Sequence, residues 1–431
     1  MNSTVIGRYR WRICALLFFA TTINYIDRQV IGILKPVLEK EFNWTETQYG
    51  EIVMIFSACY AFGLLVFGRF VDKVGTKLGY TVSIVVWSIA AVAHAFAKST
   101  FGFGAARAVL GLGEAGNFPV AIKSVAEWFP KKERALATGI FNSGANIGAV
   151  AAPALVPWLA SAYGWQEAFI WTGVIGFVWL IFWIIMYEVP ARHKKITKAE
   201  YDYIHSDNVD ESASKRKVPW LKLFGIRQTW AFVFGKLLTD PIWWFFLFWL
   251  PSYFSTTFNL NMKSLGLPLI IVYTATTVGS IGGGYLSSYF INRGMPVFKA
   301  RKTSMLIFAI CVLPIMTAPF ATNMWVAVAL ISLAAAAHQA WSANIFTTAS
   351  DMFPKFALSS VVGIGGMAGS IGGMLFPIVV GSLLDHYKAL GNIGTGYSIL
   401  FVICGFAYLL AWGAMHFFAP RMEQVEIPEE A

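Results

Sequence analysis

The chain has 431 residues, of which 57% are hydrophobic and only 13% are charged, and its mean hydropathy is +0.60. Because a soluble domain carries about 25% charged residues, this composition excludes an ordinary soluble enzyme or binding module. The formal net charge of +10 does not indicate a nucleic-acid partner, since the cations cluster at the boundaries of apolar segments. All four cysteines fall inside apolar runs without metal-ligand spacing, so we expect no metal and no cofactor.

Apolar segments of about 20 residues, the length that crosses a bilayer, recur along the chain and predict an all-α integral membrane protein. We predict twelve transmembrane helices, at residues 11–33, 49–68, 78–97, 102–125, 136–160, 169–189, 229–253, 267–290, 303–321, 325–350, 358–383 and 397–419. If both termini are cytoplasmic, 23 of the 33 Lys and Arg residues lie on the cytoplasmic side and five on the opposite side. The positive-inside rule therefore predicts a multi-pass protein with both termini in the cytoplasm.

A mixed-charge polar segment divides the chain into two halves. We predict a six-helix bundle at 1–189, a cytoplasmic linker at 190–228, and a second six-helix bundle with a short cytoplasmic tail at 229–431. The halves share a motif, because EWFPK (127–131) recurs as DMFPK (351–355) at an offset of 224 residues. Two six-helix repeats are typical of a transporter in which one half rocks against the other.

The loop GRFVDKVGTK, between the second and third segments, has a recognisable spacing. Gly68 and Gly75 permit a tight turn, while Asp72 and Lys73 can cap helix ends or pair with neighbouring charges. The spacing resembles the cytoplasmic signature loop of the major facilitator superfamily, which implies a gating role for these four residues in latching one conformation. A solvated turn is the alternative.

Two charges, Arg107 and Glu114, lie inside the apolar, Gly- and Ala-rich fourth segment. They are two helical turns apart and therefore share one helical face. A charge in the hydrocarbon costs at least ~2.5–3.5 kcal/mol, so such residues normally face a protein interior or a wet cavity. At ~1.5 Å per residue, Asp27 and Arg28 of the first segment lie at about the level of Arg107, and Glu114 lies deeper. We expect Asp27 and Arg107 to form a buried ion pair if these two segments face each other.

These four charges suit a proton-coupled anion carrier. An Arg side chain recognises a carboxylate bidentately, and a buried carboxyl group can take up and release a proton according to its neighbours. A substrate that competes for the Arg would therefore favour protonation of the acid. The alternative is a structural ion pair that joins two helices.

Further polar residues lie at intramembrane positions. Tyr60 is in the second segment, and His338, Gln339, Trp341 and Asn344 are in the tenth. So many neutral hydrogen-bonding groups in the tenth segment would be costly in lipid, and we expect these four residues to line a site for a polyhydroxylated ligand. His338 could equally be a packing residue with its hydrogen bonds satisfied, and a buried Tyr such as Tyr60 is more often a packing residue with one hydrogen bond than a ligand contact.

Five stretches carry a resemblance to a known family. They are NYIDR (24–28), RAVLGLGEAGNFP (107–119), EWFPKKERALATG (127–139), FFLFWLPSY (245–253) and AAHQAWSANIFTTASDMFP (336–354). The first four resemble the anion:cation symporter family of the major facilitator superfamily, and the last resembles its bacterial hexuronate-transporter branch. The resemblance extends over essentially the whole chain and implies the twelve-helix major facilitator fold, in two six-helix pseudo-repeat bundles.

The resemblance also implies a function: H⁺-driven uptake of glucuronate or galacturonate across the bacterial inner membrane, by a monomer. Asp27 and Glu114 match the family's proton-linked acids, Arg28 its substrate-carboxylate ligand, Arg107 the partner of the first acid, and Tyr60 a substrate contact. The expected partners are thus a small anionic sugar acid, protons and lipid, with no nucleic acid. An acid at Asp27 is typical of aldonate and aldarate carriers, so galactonate or glucarate stays open as substrate.

Two other classes of function compete with transport. A membrane enzyme would need a nucleophile–base or metal constellation, and the sequence contains no His-x-x-x-His, Cys pair or Gly-x-Ser-x-Gly. A transporter-like nutrient receptor would be expected to append a signalling domain or a long tail, whereas only about a dozen residues follow the last predicted span. Accumulation of substrate in vesicles distinguishes a transporter from such a receptor.

Overall fold

The computed structural model describes residues 7–206 and 220–425, and every regular element in these ranges is a helix. Some side chains inside the helices are not described, namely those of residues 65, 68, 69, 72, 131, 132, 134–136, 220, 221, 355, 356, 358 and 359. The α-helices are α1 (Tyr9–Phe42), α2 (Glu46–Val74), α3 (Thr76–Ala93), α4 (Thr100–Glu114), α5 (Asn117–Trp128), α6 (Lys131–Tyr163), α7 (Trp165–Met186), α8 (Lys198–Ile204), α9 (Trp220–Phe224), α10 (Arg227–Phe258), α11 (Met262–Asn292), α12 (Val297–Val312), α13 (Met324–Met352), α14 (Lys355–Ala389) and α15 (Ile393–Phe418).

Nine helical segments in the described ranges are long and apolar enough to cross a membrane. They correspond to nine of the twelve predicted spans. The other three predicted spans are α1, α2 and the α4–α5 pair. Intramembrane charges lower the hydropathy of α1, while α4 (15 residues) and α5 (12 residues) are each too short to cross a membrane alone. The structure is therefore an all-α membrane protein, and it is consistent with the twelve predicted spans.

The fourth predicted span is not one continuous helix, because α4 ends at Glu114 and α5 begins at Asn117. Pro119 has no N–H to donate to the carbonyl of Ala115, which interrupts the helical ladder at this point. The Ser83 hydroxyl from α3 donates to the carbonyl of Gly113 (2.6 Å) and so satisfies one acceptor at the break. The predicted span at 102–125 therefore consists of two helices, and the break between them places Glu114 at a helix end.

The chain folds as two compact units, one of Met1–Trp44 with Glu51–Asp210 and the other of Thr45–Gly50 with Glu211–Ala431. In the first unit α1 packs against α6, and α3 packs against α4 and α7. In the second unit α10 packs against α14, and α12 packs against α13 and α15. Corresponding helices thus pack in corresponding ways in each unit. The predicted boundaries at 189 and 229 stay a prediction.

The repeated motif has the same backbone conformation in both copies. Pro130 (φ −61°, ψ 153°) precedes α6 and Pro354 (φ −64°, ψ 152°) precedes α14. The later glycines of the repeat also share a role, since a Cβ added at Gly148 would lie 2.5 Å from a backbone oxygen of α1. One added at Gly372 would lie 2.6 Å from the Pro241 ring of α10. The internal repeat is therefore confirmed as a structural one, and these two glycines permit close helix packing.

The first part of the predicted linker is packed rather than merely solvated. Glu200 of α8 is buried and accepts hydrogen bonds from the backbone N–H (3.1 Å) and Nη1 (3.4 Å) of Arg10. Arg10 also pairs with Glu133 (Nε–Oε2 2.8 Å), and the Tyr203 hydroxyl donates to the same Glu133 carboxylate (2.8 Å). This network fixes α8 against α1 and α6. Residues 207–219 of the linker lie outside the described residues, and its last part forms α9 and the start of α10.

Candidate functional site

A buried ion pair between α1 and α4 forms the centre of the candidate site in the first unit. Arg28 Nε donates to Glu114 Oε2 over 2.9 Å, and the two residues are 4% and 0% exposed. Arg28 Nη2 also donates to the side-chain oxygen of Asn24 (3.3 Å), one helical turn earlier in α1. The second oxygen of Glu114 has no hydrogen-bond partner among the described residues. Arg28 and Glu114, predicted as substrate and proton groups, are thus directly bonded.

Three aromatic rings surround the guanidinium group of Arg28. Its central carbon lies 4.9 Å from the ring centroid of Tyr25, 5.3 Å from that of Phe56 and 4.7 Å from that of Tyr60. Aromatic faces attract cations, so these rings stabilise the charge in a place that water reaches poorly. Tyr25 and Tyr60 are half-buried and form the more accessible edge of the cluster. Tyr60 therefore contacts the residue predicted to bind the substrate carboxylate.

Arg107 is fully buried beside Arg28 and Phe56, but it does not form the ion pair with Asp27 that was expected from the sequence. Its Nη2 donates to the backbone carbonyl of Arg28 (3.0 Å), and its guanidinium lies 4.7 Å from the Phe56 ring centroid. The expectation of an Asp27–Arg107 ion pair was wrong, because no such pair occurs among the described side chains. Asp27 and Arg28 are consecutive and point about 100° apart on their helix, and it is Arg28 that faces Glu114.

Asp27 is a buried acid whose carboxyl group is poorly satisfied. It is 2% exposed, and neither carboxyl oxygen forms a hydrogen bond within the described ranges. The hydroxyl of Thr172 in α7 lies beside this carboxyl group and donates to the carbonyl of Phe169 (3.3 Å). An ionised carboxylate without donors is expensive in a buried position, whereas a protonated carboxyl group is not. This environment suits a group that holds a proton.

The sequence interpretation missed two amides that support the cluster. Asn24 orients Arg28, and the signal for it was the i,i+4 spacing of these residues within NYIDR. Asn117, at the start of α5, accepts a hydrogen bond from the Tyr80 hydroxyl (2.5 Å) and donates to Thr21 Oγ1 (3.3 Å). It ties α1 and α3 together next to the break that follows Glu114.

The second unit contains a separate polar cluster around His338 of α13. His338 Nδ1 and the Tyr408 hydroxyl of α15 are hydrogen-bonded (2.5 Å), and the imidazole stacks on the Trp243 ring of α10 (5.2 Å). Trp341 lies edge-on to Tyr408 (5.7 Å) and is fully buried. These contacts orient His338 from two neighbouring helices.

The remaining residues predicted on α13 differ in how much of their hydrogen-bonding capacity is used. Gln339 is half-buried, and no hydrogen bond joins its side chain to the rest of the described structure. Asn344 Nδ2 donates to the carbonyls of Gly283 and Ala340, both over 2.9 Å. Asn344 therefore joins α13 to α11, while Gln339 keeps an amide available to a ligand. Their roles in substrate binding stay predictions.

The predicted gating loop is a single-residue turn between α2 and α3. Gly75 has φ +84° and ψ 164°, a conformation that other residues rarely adopt, and Lys73 is exposed. Gly68 lies within α2 rather than in a loop, and the side chain of Asp72 lies outside the described structure. The tight turn is confirmed at Gly75 and was wrong at Gly68, and the latch itself stays a prediction.

The described residues contain no group of three or more His, Cys, Asp or Glu side chains arranged to hold a metal ion. The polar groups brought together are instead two arginines, two acids and amides in the first unit, and hydrogen-bonding neutral groups in the second. Such groups can bind an anion and exchange a proton, but they offer no activated nucleophile.

Comparison with known proteins agrees with this chemistry. The chain is 33% identical over 398 residues to the hexuronate transporter of Escherichia coli (strain K12), covering 91% of this chain and 90% of that protein. It is 33% identical over 284 residues to the galacturonate transporter of Dickeya chrysanthemi, covering 65% and 82%. It is 28% identical over 398 residues to a D-galactonate transporter of Escherichia coli O6:H1, covering 90% and 92%.

The fold has counterparts among solved structures. The crystal structure of a bacterial homologue of the human lysosomal transporter Spinster superposes with a TM-score of 0.77 at 19% identity, covering 96% of this chain and 99% of that one. The sequence profile of the Major Facilitator Superfamily matches residues 17–377. Because this match covers most of the chain and the relatives are transporters, the chain belongs to the major facilitator superfamily and is a multi-pass membrane transporter rather than an enzyme.

Proposed function

We propose that the protein is a proton-coupled symporter that imports a hexuronate, glucuronate or galacturonate, by alternating access in the bacterial inner membrane. In this proposal it acts as a monomer with both termini cytoplasmic, and H⁺ is the coupling ion. The observation that carries the proposal is the buried Arg28–Glu114 pair with Asp27 and Arg107 beside it. The relatives named hexuronate and galacturonate transporters support the choice of substrate.

The charge balance of the cluster favours binding an anion together with a proton. Arg28 and Arg107 contribute two positive charges, and the ionised Glu114 contributes one negative charge. With Asp27 protonated the four side chains carry a net charge of +1, which a singly charged sugar acid neutralises. With Asp27 ionised the net charge is zero. Protonation of Asp27 and binding of the anion therefore strengthen each other, as linkage requires.

Glu114 provides the second step of the coupling. A substrate carboxylate that binds Arg28 competes with Glu114 for the same guanidinium group. A displaced Glu114 is left as a buried acid with fewer donors, so it takes up a proton in turn. The aromatic rings of Tyr25 and Tyr60 border Arg28 at the accessible edge and can pack against the sugar ring.

The substrate hydroxyls need neutral hydrogen-bonding partners. In the second unit His338 is oriented by Tyr408 and Trp243, and Gln339 carries an amide that is not committed to a hydrogen bond in the described structure. We propose that these two residues recognise hydroxyl groups of the sugar acid, with Trp341 and Asn344 holding α13 in place.

The test is uptake by proteoliposomes that contain the purified protein. Radiolabelled galacturonate should accumulate when the outside is made acidic, and unlabelled glucuronate should compete better than galactonate or glucarate. Glu114→Gln should still exchange labelled for unlabelled substrate across the membrane, because Gln keeps an acceptor for Arg28 but carries no proton. The same variant should fail to accumulate substrate against a gradient.

Glu167→Gln, in the first turn of α7, is the matched control and should accumulate substrate normally. Accumulation driven by a sodium gradient without a pH gradient would contradict proton coupling. Stronger competition by galactonate or glucarate would assign the protein to aldonate or aldarate transport, for which the galactonate-transporter relative is the precedent. Full accumulation by Glu114→Gln would remove Glu114 from the coupling step.

A further inference from the structure

An apolar groove runs along the outer surface of the first unit between α1 and α7. Its volume is about 450 Å³, and its lining is almost entirely apolar from Ile23 and Ile175 at one end to Arg12 and Met186 at the other. The floor is buried, with Leu16 at 8% exposure. Phe19 and Phe182 form exposed rims.

The dimensions of the groove match one leaflet of a bilayer. From Arg12 to Ile23 the helix rises about 16 Å, and from Ile175 to Met186 the antiparallel helix covers the same length. Half of the hydrocarbon thickness of a bilayer is about 15 Å. The groove therefore extends from the end of α7 to about the middle of the membrane, as one acyl chain does.

The walls of the groove are held in place by hydrogen bonds. The indole of Trp179, which lines it, donates to the carbonyl of Leu16 (3.0 Å), and the Tyr9 hydroxyl donates to the carbonyl of Met186 (3.0 Å). Both bonds join α1 to α7, one along the groove and one at its end. The groove is thus a built feature of the helix pair rather than a gap between loosely packed side chains.

A polar cavity of about 250 Å³ adjoins the groove at its charged end, and Arg12 lines both. Arg8 and Lys195 also line the polar cavity, and the three cations are exposed. The one acid in the lining, Glu200, is buried and bonded to Arg10, so its charge is already compensated. The cavity therefore presents an excess of positive charge at the level of the lipid headgroups.

We propose that this composite site binds an anionic phospholipid of the cytoplasmic leaflet, with one acyl chain in the α1–α7 groove and the phosphate at Arg12, Arg8 and Lys195. Cationic pockets at the ends of transmembrane helices favour anionic headgroups by charge, and the groove adds apolar contact for the chain. The lipid would bridge α1, α7 and the start of α8. The site is distinct from the Arg28–Glu114 cluster and does not depend on the proposed substrate.

The experiment is native mass spectrometry of the purified protein in micelles containing equal amounts of phosphatidylglycerol and phosphatidylcholine with identical acyl chains. The wild type should retain one phosphatidylglycerol in preference to phosphatidylcholine. Arg12→Gln should lower that preference about fivefold, the effect of one cation near an anionic headgroup. Arg12→Lys should keep the wild-type preference for phosphatidylglycerol, because the phosphate contact needs a charge rather than a particular geometry.

Ala15→Phe tests the groove without changing any charge, since Ala15 lines it and is exposed. It should reduce retention of both lipids at this site. Lys194→Gln and Ala93→Phe change exposed residues outside the two cavities and should behave as wild type. Equal retention of the two lipids by the wild type would overturn the proposal, and so would unchanged retention in Ala15→Phe. A dimer that separates on Ala15→Phe would instead make the groove an interface between copies.

Discussion

Replacing Arg28 by Lys tests whether the guanidinium group binds the substrate carboxylate. In the structure Arg28 bonds Glu114 through Nε (2.9 Å) and Asn24 through Nη2 (3.3 Å), while three rings lie 4.7–5.3 Å from its central carbon. A Lys ammonium keeps the charge but cannot reproduce the planar fork that spans two acceptors. Losing one charge-assisted hydrogen bond costs about 1.5–3 kcal/mol, so the Kd for galacturonate should rise about 10- to 150-fold.

The measurement is calorimetric titration of the purified variant with galacturonate, together with its thermal unfolding in the same detergent. Arg293→Lys is the matched control, because Arg293 is exposed and lies 4.6 Å from the Tyr289 ring in a similar cation–π contact. That variant should bind substrate as the wild type does. A wild-type Kd in a folded Arg28→Lys variant would refute the assignment of Arg28 to the substrate site.

Three further outcomes are expected. Asp27→Asn should weaken the pH dependence of the Kd for galacturonate, leaving only the proton uptake at Glu114, whereas the wild-type Kd should change by about 5- to 150-fold over the titration of Asp27, as titration calorimetry at several pH values would show. Gly75→Ala should lower the free energy of unfolding by ~1–3 kcal/mol because of its positive φ, while Gly282→Ala in the open face of α11 should not lower it. Both are measured by thermal unfolding. Burial lowers the pKa of the His193 imidazole, so the folded state favours the neutral ring. The stability that depends on the neutral ring is lost as pH falls below about 6.5, the ordinary pKa of histidine. His193→Phe should therefore show a smaller drop in melting temperature on acidification than the wild type.

The helical architecture could be predicted from the sequence because a membrane leaves few solutions for the backbone. Each apolar run must bond its own N–H and C=O groups, and that requirement selects helices of bilayer length. The 224-residue repeat then predicted matching helix packing, which α6 and α14 show in their glycine positions and N-terminal prolines.

Local interruptions were harder to predict because several weak signals act together. The break after Glu114 depends on Pro119 and on the Ser83 hydroxyl of another helix, and the second of these is not a neighbour in sequence. The docking of α8 has the same character. Glu200 and Arg10 are 190 residues apart, and the polar composition of the linker gave no sign that Glu200 is buried.

The pairing within the charge cluster shows where depth alone is insufficient. Counting residues placed Asp27, Arg28, Arg107 and Glu114 at neighbouring levels, and the structure does bring Arg28, Glu114 and Arg107 together. Depth cannot decide which of two consecutive residues faces the neighbouring helix. In the structure Arg28 takes that position, and Arg107 reaches the backbone carbonyl of Arg28 instead of the Asp27 carboxyl group.

The difference between the expected and the observed pairing changes which of the two acids binds a proton in the proposed mechanism. Had Asp27 paired with Arg107 and left Glu114 beside Arg28, both acids would be held as anions by adjacent guanidinium groups, and the cluster would stay neutral. In the observed arrangement Glu114 forms an ion pair with Arg28, while the Asp27 oxygens receive no hydrogen bond from the described residues. An acid without donors is the one whose charge is most costly, so in the proposed symport the proton that accompanies the substrate binds first at Asp27. In the same proposal, Glu114 binds a proton only when a second carboxylate, that of the substrate, takes Arg28 from it.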